Sequence, residues 1–479
     1  MLIDELPHPH ASRVETEINA GSEIEDDAFA VELPKDDVVA HFQRRVQRKI
    51  GHGGSVTYAH MGVFAADQRI ELRIWIFAAA VRLLYLAAAR PPFSLYNWEA
   101  ASNLLLDGTL SLDRVKTAAL EPLYPLFLAT GQLLVGPRPL LVQAVQALVA
   151  SAGAVYLYKL GSALTLNKRV GIAAATLFAV YPLLVRHSID GTESALLTTL
   201  LIAFAYQFVT MHTTMDAAAV GGWLGLAILT RTVALPLLLV APMAAAAQSG
   251  RRAIAMAGVA VLLLMPSAIR NYTLNGAIVP ARAGVNLFIA NSEYAPGVIA
   301  DYGPDILLPY AESRIADVVP PEVTWTPEIE QRQDAAFRRL ALAEIRQRPL
   351  DTLRLKIRNV FTFFSPVLTP HREITAATEI RLGEEGRSIV VDSIARPLSY
   401  RVIYTVSYSA VIALAVVGVY KRRHDLATDA ILWWIVLTFA AVHAVLFPAP
   451  RYRVPVDFVF LFYAAVGVAG TRSAIIRRK

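Results

Sequence analysis

The stretch SYRVIYTVSYSAVIALAVVGVYKRR, residues 399–423, decides the fold. Between Val402 and Tyr420 it carries no charge, and it then stops on Lys421, Arg422 and Arg423. An α-helix needs about 20 mostly apolar residues to cross roughly 30 Å of hydrocarbon. Basic residues just beyond such a run mark the side on which it stays. The same ruler laid along the chain predicts further spans at 73–89, 139–163, 170–186, 193–211, 218–230, 232–247, 252–269, 427–447 and 454–471. The pair flanking Arg231 is short and reads either as two tilted helices or as a broken, re-entrant pair. The expected fold is therefore an α-helical polytopic membrane protein with about ten transmembrane helices. Composition agrees, since 55% of the 479 residues are hydrophobic, 18% are charged and mean hydropathy is +0.45. An average soluble domain is less apolar and more charged. Cysteine is absent, which excludes disulfides, thiolate metal sites and cysteine nucleophiles. The net charge of +6 is small for this length, and its clustering at helix ends points to membrane orientation rather than nucleic acid.

The basic stops are NKR at 167–169, GRR at 250–252, KRR at 421–423 and RRK at 477–479. With ten spans, all four fall on one side together with both termini, which the charge bias makes cytoplasmic. Residues 1–69 form a polar cytoplasmic tail with an acidic run at 15–37 and a basic patch at Arg44, Arg45, Arg48 and Lys49. The tail reads as partly disordered, with a regulatory arm as the alternative. Residues 70–269 are a transmembrane bundle with a first periplasmic loop at 90–138, and 397–479 hold the C-terminal transmembrane helices. Between them, 270–396 is rich in Pro, Tyr and charge and is expected to be a periplasmic α/β or mixed soluble domain. That domain ends in an amphipathic stretch where Leu350, Leu353, Ile357, Val360, Phe361 and Phe364 recur at helical spacing. The pattern fits a helix lying in the headgroup plane, with packing on the outer domain as the alternative.

With these segments placed, several local patterns match one family. They are ASNLLLDG at 101–108, EPLYPLFL at 121–128, GLAILTR at 225–231, IRNYTLNG at 269–276 and RYRVP at 451–455. In this order the chain resembles the glycosyltransferases of the C-type fold. Its likeness is to the branch containing protein O-mannosyltransferases and lipid A aminoarabinose transferases. The resemblance implies a polyprenyl-phosphate-linked sugar as donor. It also implies transfer to an envelope lipid, glycan or protein acceptor at the periplasmic face of a bacterial inner membrane.

Transfer from a lipid phosphate asks for a carboxylate to take the acceptor's proton and for cations to hold the departing phosphate. For the phosphate, Arg451 and Arg453 stand two residues apart in a short outer turn, where the positive-inside bias should deplete arginine. Arg270, directly after a span, is a third candidate. His443, near the outer end of its helix, reads first as a packed histidine. Family members carry an acid early in the first loop, but the corresponding positions here are Phe93 and Ser94. The candidate carboxylates are therefore Glu99, Glu121, Asp190 and Glu193. Each has a plainer reading: Glu99 as the solvent face of an amphipathic helix, Asp190 as a helix cap, and Glu193 as a first-turn acid favoured by the helix dipole. Tyr124 shapes a turn, Tyr96 and Trp98 suit the membrane interface, and Asn286 and Asn291 are candidates for sugar contacts. No metal-ligand pattern stands out, and a divalent metal ion held by scattered carboxylates stays open. Two other function classes compete, a transporter or flippase for lipid-linked sugars and a catalytically silent binder of them.

Overall fold

The computed structural model describes residues 57–91, 93–247, 249–280, 282–320, 323–373, 380–382, 389–391 and 394–470. The acidic run, the basic patch and the terminal arginines lie outside these residues. Helix α1 (Thr57–Ala89) begins well before the predicted span, so the expected boundary of the tail at 69 falls inside a helix. Two units divide at Leu72: the N-terminal one takes the start of α1, and residues 73–470 hold all the other described elements.

The first loop holds α2 (Leu95–Asp107), the strand pair β1 (Ser111–Leu112) and β2 (Val115–Lys116), and the apolar α3 (Leu123–Val135). Then come α4 (Pro139–Thr165), α5 (Lys168–Val180), α6 (Pro182–His187), α7 (Ser194–Val209), α8 (Thr214–Thr230), α9 (Leu237–Ala246) and α10 (Gly250–Asn275). The segment expected at 170–186 is broken at Tyr181, which is extended because Pro182 follows it and a residue before proline is pushed out of the helical region. The segment predicted to lie outside the bilayer, the outer segment, folds into α11 (Ala283–Asn291), α12 (Ala295–Tyr302), α13 (Leu308–Ser313), α14 (Pro327–Gln347) and α15 (Pro349–Phe363). Four short strands come after α15: β3 (Arg372–Glu373), β4 (Ile380–Leu382), β5 (Ile389–Val391) and β6 (Ile394–Ala395). They pair as β3 with β6 and β4 with β5, so the amphipathic helix is not the last element of this segment. The chain closes with α16 (Leu398–Lys421), α17 (Ala430–Val445), α18 (Pro450–Arg453) and α19 (Asp457–Ala469).

This is a multi-pass helical membrane protein. Five helical stretches are long and apolar enough to cross a bilayer: Asp67–Ala89, Pro139–Thr165, Gly250–Asn275, Leu398–Lys421 and Pro450–Ala469. Shorter apolar helices fill in between them. Leu239, Met243, Ile254, Leu262 and Val416 are exposed on these helices, an apolar outer surface suited to lipid. Ionised groups are turned inward instead, as buried Arg82, Asp429 and Arg453 show.

Because successive helices run in opposite directions, the three basic stops among the described residues gather at one end of the bundle. Asn167 Nδ2 donates to Gly470 O at 3.4 Å, Lys421 Nζ to Gly467 O at 2.6 Å, and Arg252 to His212 O. At the same end Arg422 makes two hydrogen bonds to the buried Asp429 carboxylate, at 2.7 and 2.6 Å. At the opposite end the outer segment builds its own core around Phe288, Ile306, Leu307 and Phe337, and that core also takes in Phe447, Ala449 and Tyr452. The turn between the last two apolar helices is thus packed as part of the outer domain.

Candidate active site

The helix break between α8 and α9 starts the site. Arg231 is extended (φ −159°, ψ 123°), a short 3-10 turn follows at Thr232–Ala234, and Pro236 precedes α9. Breaking the helix here points the Arg231 guanidinium at Glu193, the residue that opens α7, and the two form an ion pair with both side chains mostly buried. One residue on, Thr232 donates from its backbone N and its hydroxyl to Glu121 Oε1, at 3.2 and 3.0 Å. Three segments distant in sequence therefore bring two carboxylates and one arginine together.

The second wall comes from the turn before α19. The Tyr452 ring stacks on His443 (centroids 4.7 Å apart, 10° between planes), and His443 stacks in turn on Phe363 at 5.9 Å. The Arg231 guanidinium lies 5.3 Å from the Tyr452 ring centroid and that of Arg451 lies 4.8 Å from it, both within cation–π range. Arg451 Nη2 donates to the Tyr452 hydroxyl at 2.7 Å and stands 3.9 Å from Asp305 Oδ2. Two guanidiniums from separate parts of the bundle thus meet at one aromatic ring, with the Glu193 and Asp305 carboxylates beside them and Glu121 on the adjacent Thr232. Planar arginine forks suit phosphate oxygens, and a nearby carboxylate suits a proton.

Of the residues singled out from sequence, Glu121, Glu193 and Arg451 come together here, with His443 as part of the wall. The others do not join them. Arg453 is fully buried: Nε donates to Asp457 at 2.8 Å, Nη1 to Phe363 O at 2.9 Å and Nη2 to the Tyr404 hydroxyl at 2.8 Å. Its guanidinium also lies 3.5 Å from the Tyr408 ring centroid, so of the expected arginine pair Arg451 borders the cluster and Arg453 is taken up in packing. Arg270 donates to Thr117 O, while Thr117 Oγ1 and Ala118 N donate to Glu330 on α14 at 2.5 and 2.9 Å. That arginine staples the first loop to α10 and α14. Glu99 accepts from Asp113 N at 2.6 Å and holds the two-residue turn Asp113–Arg114, both of whose residues have positive φ. Asn291 is buried and donates to Leu287 O in its own helix, with nothing that turns it towards the site.

Asp190 is also buried, 2.5 Å from His187 Nδ1 and accepting from Thr192 N and Oγ1 at 3.0 and 2.7 Å. Burial works against its charge, but His187 and the bonds from Thr192 outweigh that and hold the carboxyl below its ordinary 3.8. Asp190 thus fastens the turn that carries Glu193. Its contribution is fully present above pH 3.8 and fades only as pH falls through the lower folded value. Asp190→Ala should lower thermal stability in detergent by about 1–3 kcal/mol and leave activity per folded molecule within a few-fold. An unchanged melting curve with lost activity would reverse that assignment.

Two site residues lay outside the sequence candidates. Arg231 ends the 225–231 stretch, and an arginine between two apolar runs is itself a signal, because it needs a partner there. Asp305 sits in PDILLPY at 304–310 and carries no local signal at all.

Known proteins bear on the same region. Residues 118–269 match the family described as dolichyl-phosphate-mannose-protein mannosyltransferase. The match to this mannosyltransferase family covers about a third of the chain and includes Glu121, Glu193 and Arg231, though not Arg451 or the outer domain. It falls on the branch that the 121–128 and 225–231 motifs resemble, and it supports glycosyl transfer as the general chemistry. No curated protein matches the chain. Among solved structures, the oligosaccharyltransferase of Archaeoglobus fulgidus tethered to an acceptor peptide is 11% identical over 83% of this chain and 49% of its own, with a TM-score of 0.45. The chain therefore spans about half the length of that protein. ArnT from Cupriavidus metallidurans is 14% identical over 85% of this chain and 78% of its own, with TM-scores of 0.31 bound to undecaprenyl phosphate and 0.30 in the apo state. Among the described residues, no group of three or more His, Asp or Glu stands together as a metal site.

Proposed function

We propose that this chain is a glycosyltransferase that moves a sugar from a polyprenyl-phosphate donor to a hydroxyl on an envelope lipid, glycan or protein. It acts at the periplasmic face of a bacterial inner membrane, with both termini cytoplasmic. The observation that carries the proposal is the convergence of Arg231 and Arg451 on Tyr452 with Glu193 and Glu121 alongside. Its orientation rests on the basic stops at 167–169, 250–252 and 421–423, which gather at the other end of the bundle. Helix α15 fits the same placement: Leu350, Leu353, Ile357 and Phe361 are exposed along one side, an apolar stripe suited to the headgroup boundary.

The proposed mechanism is inverting. Arg231 and Arg451 take the donor phosphate in charge-assisted hydrogen bonds. Glu193 gives up part of its ion pair with Arg231 and accepts the proton of the acceptor hydroxyl. That oxygen bonds to the sugar's anomeric carbon while the bond from this carbon to the phosphate oxygen breaks, and the electron pair stays on the phosphate. Glu193 suits the role by position. Its turn packs on Phe93 and Ser94, where the resembled family carries its first-loop acid: a Cβ at Gly191 would lie 2.8 Å from both Phe93 Cδ2 and Ser94 N.

The test is transfer of labelled sugar from polyprenyl-phosphate donors by the purified chain in membranes. Glu193→Gln should cost about a hundred- to ten-thousandfold in turnover. Glu121→Gln, which only loosens the Thr232 contact, should cost about tenfold. Equal losses would remove the base assignment from Glu193, and donor movement across liposomes without bond cleavage would replace the enzyme reading with a transporter.

A further inference from the structure

The two arginines of the last outer turn differ in how their charge is met. Arg453 touches Asp457 at 2.8 Å and directs its remaining donors to neighbouring oxygens. Arg451 has its acidic neighbour, Asp305, at 3.9 Å, close enough for strong attraction but too long for a hydrogen bond. Asp305 comes from the outer domain, on the 3-10 turn Pro304–Leu307, and is only 6% exposed. Its neighbours Ile306 and Leu307 belong to the same core as Tyr452, so the turn that carries the carboxylate is anchored beside Arg451. A carboxylate at that range offsets part of the Arg451 charge by attraction alone.

We propose that Asp305 is a positioning counter-ion that competes with lipid phosphate for Arg451 and thereby speeds release of the spent carrier. The inference rests on the reading that Arg451 binds the donor's phosphate. The donor is a phosphodiester with one negative charge. Once the bond from the sugar's anomeric carbon to the phosphate oxygen breaks, the carrier is a monoester whose second ionisation lies near pH 6, so its charge approaches two. Two guanidiniums alone would therefore hold product more tightly than substrate. A nearby fixed carboxylate repels the dianion more than the monoanion and narrows that gap.

Binding to the purified full chain in nanodiscs at pH 7.5 tests this with two probes, a polyprenyl phosphate and its methyl phosphodiester. Asp305→Asn should tighten the monoester by about tenfold and the diester by about threefold, with kcat falling as product release slows. Asp305→Glu, which extends the carboxylate toward Arg451, should weaken the monoester instead. Opposite signs from the two variants are not expected of a merely structural residue. Unchanged or weaker monoester binding in a folded Asp305→Asn protein overturns the proposal. So does tightening by Asp305→Glu, which decides the matter if the Asn variant does not fold. Should Arg451→Ala leave wild-type affinity for both probes unaltered, the failure belongs to the phosphate assignment itself.

Discussion

Arg451→Ala should abolish nearly all sugar transfer, by about a hundred- to a thousandfold in kcat/KM, while the protein still folds. The side chain is partly exposed, and its contacts include the Tyr452 hydroxyl at 2.7 Å and Asp305 at 3.9 Å, so truncation removes surface contacts rather than buried packing. Arg451→Lys should recover only part of the activity, since an ammonium cannot grip two phosphate oxygens as a planar fork does. Two residues on, the same change should read differently. Arg453→Ala strips the buried Asp457 of its partner and leaves Phe363 O and the Tyr404 hydroxyl without a donor, a loss of about 3–5 kcal/mol. The expected result is little folded protein to assay. Chromatographic profiles and transfer assays on both variants separate the cases, and a folded, active Arg451→Ala protein would end the phosphate assignment.

Gly418→Val should prevent the C-terminal helices from packing. A Cβ at Gly418 on α16 would lie 1.8 Å from the carbonyl oxygen of Tyr463 on α19, and one at Gly467 would lie 2.4 Å from Leu414 O. Both obstacles are backbone, so no side chain can rotate out of the way. The two glycines let the helices approach at close range, as small residues do inside membranes. Forcing them apart disturbs α19, whose residues from Asp457 to Val466 are all buried. Such overpacking costs about 1–3 kcal/mol or more, a large share of a total of roughly 5–15. Gly222→Val is the control, since nothing lies within 4 Å of a Cβ there. The expected outcome is aggregation of the Gly418 variant and a normal elution profile for the Gly222 variant. Equal behaviour would show that the helices can part without penalty.

The apolar helices were legible because hydrocarbon imposes one length and one composition: each predicted span overlaps a helix or a helix pair, and five helical stretches have the length and apolarity to cross. Their ends were less legible, because helices continue into polar sequence, as α1 does, or break at a proline, as at Pro182. The site was legible only where chemistry conflicts with surroundings. Arg451 lies in a turn that the charge bias assigns to the side where arginine should be scarce, and Glu121 and Glu193 border apolar runs. The same signal selected Arg453 and Arg270, because sequence does not reveal whether a guanidinium's donors are already taken by carbonyls and carboxylates. Asp305 was invisible. Its meaning comes from a contact between segments about 150 residues apart, and no local spacing encodes that.

The shared core around Phe288, Ile306, Phe447 and Tyr452 has a consequence for anyone dissecting this molecule. Cutting away residues 283–347 would strip the floor from beneath Tyr452 and leave both guanidiniums without their common platform. Grafting that portion onto another protein of similar fold would succeed only if residues 446–452 travelled with it, making the transferable unit a discontinuous one.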